Sequence, residues 1–158
     1  MNINKLVKLV AAILVSFAAG AIGSLATTAN IPTWYADLEK PFFSPPNWVF
    51  GPVWSLLYLL MGISLYLVWT AKGEKVLKQK AYIAYGVQLA LNTLWSLVFF
   101  GLHAPWAGVV IIVLMIVAIV ATMKSFWPLS KTATYLLVPY LAWVSFATLL
   151  NISIALLN

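Results

Sequence analysis

Five long apolar runs constrain this chain more than any other feature of its sequence. Each run has about 20 residues and almost no charge, the length an α-helix needs to cross roughly 30 Å of hydrocarbon. Backbone polar groups in lipid must pair within their own segment, so we predict an all-α integral membrane protein, a bundle of five transmembrane helices in one domain. The predicted spans are residues 5–28, 52–70, 81–101, 105–126 and 132–157.

Composition excludes a water-soluble domain and several classes of function. The chain is 64% hydrophobic and 8% charged, whereas soluble domains are about half apolar and a quarter charged. All of its basic residues are lysines, so the net charge of +6 comes without the arginines that bind phosphate in bidentate fashion. We therefore expect the lipid bilayer, and no nucleic acid, as a partner. Cysteine is absent, which excludes disulfides and thiolate chemistry.

Lysine placement predicts how the chain is oriented. With five spans, only Lys40 falls on the side of the long loop 29–51. The positive-inside rule then predicts a cytoplasmic N-terminus, an outer C-terminus and an outer loop, as in a bacterial plasma membrane. Alternatively, the first span is a cleaved signal peptide, because small residues follow it, and the orientation is the same. The remaining lysines all fall on the other side: Lys5, Lys8, Lys72, Lys75, Lys78, Lys80, Lys124 and Lys131.

Small residues recur at every fourth position of the first span. This spacing lets helix backbones approach closely. Two interpretations are open, packing within the bundle and a face for dimerisation. The residues are Ala12, Ser16, Gly20, Ser24 and Thr28.

Aromatic and amide side chains share one helix face on three of the spans. An amide in hydrocarbon must face the bundle interior or water, either to bond another helix or to meet a ligand. We hypothesise that the three faces surround one cavity. They are formed by Trp54, Tyr58, Met61 and Leu65; by Gln88, Asn92, Trp95 and Phe99; and by Trp143, Ala147, Leu150 and Asn151.

The sequence offers no catalytic constellation of acids, bases or metal ligands. The single histidine, His103, lies in a short turn, and the three carboxylates, Asp37, Glu39 and Glu74, lie outside the spans. We expect no metal site, no cofactor and no ion-coupled pump. Pro139 interrupts the fifth span and predicts a kink there.

The loop before the second span holds the stretch KPFFSPPNWVFGPVW, rich in proline and aromatic residues. Prolines restrict the backbone, so this loop can hold its aromatic side chains over the mouth of the bundle. The alternative is that it only caps the second span, with Pro52 in the first helical turn.

These residues resemble the family of tryptophan-rich sensory proteins and translocator proteins, TspO/MBR, also called peripheral-type benzodiazepine receptors. The resemblance covers the chain from Trp34 onward. It rests on WYADLEKPFFSPPNWVFGPVWSLLYLLMG, QLALNTLWSLVFFG and LLVPYLAWVSFATLLN.

The resemblance implies a homodimeric five-helix receptor whose pocket opens toward the long loop. Its ligands would be porphyrins such as protoporphyrin IX and other hydrophobic aromatic molecules, handled under stress. Alternatives are a light-dependent porphyrin-degrading enzyme, in which Trp54 and Trp143 would be catalytic, and a porphyrin or lipid transporter. Carried over by motif, the ligand-binding residues are Trp34, Tyr35, Pro45, Phe50, Trp54, Tyr58, Asn92, Trp95, Trp143, Ala147 and Leu150.

Overall fold

The computed structural model describes residues 3–158, and within them the chain is helical without strands. Five stretches are long and apolar enough to cross a membrane, which confirms the predicted all-α class. The α-helices are α1 (Ile3–Asn30), α2 (Trp34–Asp37), α3 (Phe50–Thr70), α4 (Lys75–Ser96), α5 (Pro105–Phe126), α6 (Lys131–Leu136) and α7 (Val138–Leu157).

The long helices close into a ring. α1 packs between α3 and α4, α5 packs between α4 and α7, and α3 contacts both α6 and α7. Side-chain contacts show which ends lie together. On one side, the Lys8 ammonium lies 5.8 Å from the centre of the Trp69 ring. On the other, Asn30 pairs with His103 at 2.8 Å between the Asn30 Oδ1 and His103 Nε2 atoms. We call these the lysine side and the loop side.

α1 and α3 touch closely on the lysine side of the bundle. A methyl group at Gly62 would lie 2.6 Å from the backbone Cα of Ile13, so only glycine fits there. Ala12 and Ser16 are fully buried, and the Ser16 hydroxyl lies 2.6 Å from that of Tyr85. This half of the small-residue stripe packs within the bundle, as one of the two interpretations predicted.

Two spans contain irregular turns. α4 begins at Lys75, earlier than the predicted residue 81, and continues into the π-helical turn Leu97–Gly101. The fifth span is interrupted at Leu137, between α6 and α7. Pro139 has no N–H to bond the carbonyl of Tyr135, so the predicted interruption is confirmed and its cause is local.

The long loop is tied to the end of α7. The side chain of Asn158 accepts a hydrogen bond from the Glu39 N–H and donates one to the Glu39 carbonyl, both at 3.0 Å. Lys40 folds back over the Tyr35 ring at 4.8 Å and donates to two backbone carbonyls. After this the chain passes through the 3-10 turn Asn47–Val49 into α3. These contacts hold the loop against the ends of the helices.

Candidate ligand cavity

A cavity of about 490 Å³ lies on the loop side, between α1, α3 and the end of α4. Its volume is within the range of small-molecule sites, about 300–1,000 Å³. Its lining residues are Phe17, Gly20, Ala21, Ser24, Thr27 and Thr28 on α1; Ile31, Tyr35, Asn47 and Trp48 from the loop; Phe50, Gly51, Trp54, Ser55 and Tyr58 on α3; and Trp95, Ser96 and Phe100.

One wall is a stack of aromatic rings supported from behind. The rings of Trp54 and Tyr58 stack with their centroids 5.6 Å apart. The Tyr58 hydroxyl donates to the Asn92 Oδ1 atom at 2.6 Å, and the Asn92 amide donates to the Tyr140 hydroxyl at 3.2 Å. Asn92 is itself buried. It therefore holds the Tyr58 ring in place and does not line the cavity.

The opposite wall comes from the end of α4. The Trp95 indole donates to the Asn151 Oδ1 atom at 3.0 Å and stacks on Phe99. The π-helical turn places the consecutive residues Phe99 and Phe100 both in the interior. In a regular helix, neighbouring residues point about 100° apart, so the extra residue of a π-turn redirects one ring. Phe100 thereby reaches the cavity.

Tyr35 closes the loop end of the cavity. Its ring is buried against Phe100, with centroids 5.5 Å apart. Burial raises the pKa of the Tyr35 phenol above its ordinary value, and a hydrogen bond with the Ser44 side chain opposes part of that rise. Tyr35 is therefore a neutral phenol at physiological pH, and it presents no charge to a ligand.

The structure brings together five of the predicted ligand-binding residues around this cavity: Tyr35, Phe50, Trp54, Tyr58 and Trp95. Two others, Asn92 and Trp143, contact members of that group from behind. The Trp143 ring meets Phe50 edge to face, with centroids 6.0 Å apart. Its buried indole Nε1 atom has no hydrogen-bond partner in the described part of the chain.

The remaining predicted residues lie elsewhere. Trp34 stacks on His103 at 4.6 Å and lines a separate pocket of about 240 Å³ near the end of α7. Ala147 and Leu150 are buried within the bundle. Pro45 lies half-buried in the loop.

The α1 wall was missed by the pocket prediction. Gly20 faces the Tyr58 ring so closely that a methyl group there would collide with it. Ser24 and Thr28, two further members of the small-residue stripe, line the cavity one and two turns beyond. The recurrence of small residues at every fourth position was the available signal, but this spacing alone does not distinguish a packed surface from a cavity wall.

The lining explains what the cavity can do chemically. None of its lining residues carries a charge, and most of its surface is aromatic or aliphatic. Within residues 3–158, no group of three His, Cys, Asp or Glu side chains is placed to hold a metal ion. Such a site suits a flat apolar molecule, which would be held by stacking on the aromatic rings and by the exclusion of water from its apolar surface. It has no acid or base for proton transfer.

A five-helix membrane bundle with an uncharged, tryptophan-lined cavity beneath a loop defines a class of hydrophobic-ligand binding proteins. Comparison with known proteins then identifies the family. The TspO/MBR family profile matches residues 12–157, and the chain belongs to this family.

Relatives from several domains of life align over most of the chain. The tryptophan-rich protein TspO of Archaeoglobus fulgidus is 49% identical over 158 residues, covering 100% of this chain and 99% of that protein. The tryptophan-rich sensory protein of Cereibacter sphaeroides is 38% identical and covers 87% of both chains. The human translocator protein is 44% identical over 121 residues, or 75% of this chain and 70% of that protein.

Proposed function

We propose that this protein is a membrane receptor for porphyrins, with protoporphyrin IX as the model ligand, and that it takes part in sensing or handling tetrapyrroles under stress. The observation that carries the proposal is the uncharged cavity of about 490 Å³ whose walls are aromatic rings held in fixed orientations. A tetrapyrrole is flat, apolar and aromatic over both faces. Its ring can therefore stack on Trp54, Trp95 and Phe100.

The way the walls are held supports a binding role. Trp95 is fixed through Asn151, and Tyr58 is fixed through Asn92. Rings that are ordered before the ligand arrives lose little conformational entropy on binding. The rings therefore form a rigid, preorganised site rather than a surface that must fold around its ligand.

The wider setting of this function is also part of the proposal. A relative is named a tryptophan-rich sensory protein, which supports a sensory role. We infer a homodimer in a bacterial plasma membrane, with the lysine side in the cytoplasm because eight of the nine lysines lie there. The cavity would then open toward the outer leaflet.

The test is a titration of the purified protein with protoporphyrin IX in the dark, followed by quenching of tryptophan fluorescence. We expect saturable quenching, and a dissociation constant raised about tenfold or more by Trp54→Ala, since 1.4 kcal/mol of lost stacking is a factor of ten. Trp127→Ala is the matched control, because Trp127 is exposed and lies outside the cavity lining. Absence of saturation would overturn the proposal.

Illumination separates a receptor from the enzyme alternative. The stack of Trp54 on Tyr58, with Tyr140 edge-on to Trp54 at 6.3 Å, places oxidisable rings in contact at the cavity wall. Stable porphyrin absorbance under light means binding alone. Absorbance that decays with the wild type, and persists with Trp54→Phe or Trp143→Phe, means photochemical degradation. A transporter would instead move porphyrin across sealed vesicles in one direction.

A further inference from the structure

We propose that an amphiphilic ligand enters the cavity from within the membrane, through a slot between α1 and α3. The ligand inserts a flat, uncharged edge. The inference rests on the proposed function and adds the route of entry and the chemistry of the entering group. It follows from the exposed residues of α1 and α3 that line the cavity and from the hydrogen bonds that these residues make.

Small side chains form both edges of the slot. Ser24 and Thr28 on α1, and Gly51 and Ser55 on α3, line the cavity and are all exposed. A residue that both lines a cavity and is exposed lies at an opening. Because α1 and α3 are neighbours in the ring, the opening between them faces outward from the bundle.

The slot lies at membrane depth. Ser24 and Thr28 are within the last two turns of α1, which ends at Asn30. With a rise of 1.5 Å per residue, Ser24 lies about 9 Å from that end. The hydrocarbon is roughly 30 Å thick, so a point about 9 Å below the helix end lies in the loop-side leaflet. A molecule dissolved in that leaflet meets the slot directly.

The other boundaries of the cavity are its lysine-side end, which is closed, and its loop end. Toward the lysine side, Gly20 is covered by the Tyr58 ring and Gly62 packs against Ile13. Toward the loop, Tyr35 is buried, whereas Asn47 and Trp48 border the cavity and are exposed, Trp48 by 74%. The cavity therefore has two openings, the slot and the edge of the loop, and of these only the slot lies between transmembrane helices.

The slot favours an uncharged group. The hydroxyl hydrogens on its edges already bond backbone carbonyls: Ser24 donates to Ala21 at 2.8 Å, and Ser55 donates to Gly51 at 2.9 Å. Thr28 donates to the Ser24 carbonyl in the same way, at 2.7 Å. These edges offer no charge and no free donor, so a carboxylate gains nothing by entering. The charged groups of the amphiphile would stay at the membrane surface.

The experiment measures loading in lipid vesicles that contain the protein, using protoporphyrin IX dimethyl ester, which is uncharged and dissolves in the bilayer. Tryptophan quenching is followed after rapid mixing. Ser24→Phe and Ser55→Phe narrow the slot, and we expect each to slow both association and dissociation about tenfold. A change of this size is within the range over which association rate constants vary among related complexes. The dissociation constant should change much less, because both rates fall together.

Leu25→Phe is the matched control. Leu25 is the residue after Ser24 on α1, is 73% exposed, and does not line the cavity. The Leu25→Phe variant should therefore load at the same rate as the wild type. A variant that folds poorly is replaced by Ser24→Cys, labelled with a bulky maleimide after purification. The chain has no cysteine of its own, so labelling is confined to that site.

The outcomes separate the two proposals. If the wild type shows no saturable quenching, the proposed function is wrong. If the wild type binds, and Asn47→Phe at the loop end slows loading while the slot variants do not, entry is through the loop and the slot is wrong. The same conclusion follows if the rate depends on the aqueous porphyrin concentration and not on the ratio of porphyrin to lipid.

Discussion

Two amides on α4 provide a matched test of how polar groups are stabilised in this bundle. Gln88 and Asn92 lie one turn apart, and each is 1% exposed. Asn92 pairs with Tyr58 and Tyr140, whereas neither side-chain polar atom of Gln88 has a partner within the described residues. We predict that replacement by an apolar residue of similar size has opposite effects, with Asn92→Leu destabilising and Gln88→Met stabilising the fold.

The magnitudes follow from the hydrogen bonds. A buried hydrogen bond contributes about 1 kcal/mol net, and a buried partner left unpaired costs about 1–3 kcal/mol. Tyr140 is fully buried and would keep only a weak contact with the Met115 sulfur at 3.5 Å, while Tyr58 can turn toward the cavity. We therefore expect Asn92→Leu to cost about 2–4 kcal/mol. Gln88→Met removes an unpaired amide and should gain about 1–3 kcal/mol.

Thermal unfolding in detergent, followed by circular dichroism, measures both changes. For a chain of this length, 1 kcal/mol shifts Tm by about 2–4 °C, so Asn92→Leu should lower Tm by about 5–15 °C and Gln88→Met should raise it by about 2–10 °C. The reasoning is refuted if Gln88→Met lowers Tm as much as Asn92→Leu does. Such a result would mean that the Gln88 amide has a partner, such as a buried water.

Two further predictions concern packing and the loop. Gly62→Ala should lower Tm by several degrees, because the added methyl group meets the Ile13 backbone. Gly86 has open space around it, so Gly86→Ala should leave Tm unchanged or slightly higher. Equal effects of the two substitutions on Tm would exclude close packing of α1 on α3. Asn158→Ala removes both side-chain hydrogen bonds to Glu39 and should speed limited proteolysis of the loop between α2 and α3. The Tm of the bundle should stay within about 2 °C of the wild-type value. An unchanged rate of cleavage would show that these bonds do not hold the loop.

Much of the fold was predictable from hydrophobicity alone. In lipid the backbone must be helical, so the number of spans follows from counting apolar runs. The interruption at Pro139 also followed from local chemistry. The start of α4 was less predictable, because its first turns contain Lys75, Lys78 and Lys80 and therefore look polar. Lys78 extends to the Trp69 carbonyl at 3.1 Å, which lets a helix begin before its apolar stretch does.

The candidate site was only partly predictable, because periodicity identifies a face but not its neighbour. The faces of α3 and α4 that carry Trp54 and Trp95 do meet at one cavity. The third wall, however, comes from α1, where Gly20 and Ser24 gave no sign of a ligand. Which helix completes a cavity depends on the order of helices in the ring, and nothing in the local sequence of a span specifies that order.

Trp143 lies outside the cavity but contacts one of its walls. Its indole lies behind Phe50, which lines the cavity, so the two rings are successive layers of one wall. Trp143 also carries a buried donor with no partner. A ligand acceptor reaches that donor only if Phe50 turns aside, and such a turn would enlarge the cavity toward α7. Trp143→Phe keeps an aromatic ring beside Phe50 but removes the donor and part of the indole, so unchanged affinity in this variant would mean that the ligand does not use the Trp143 donor.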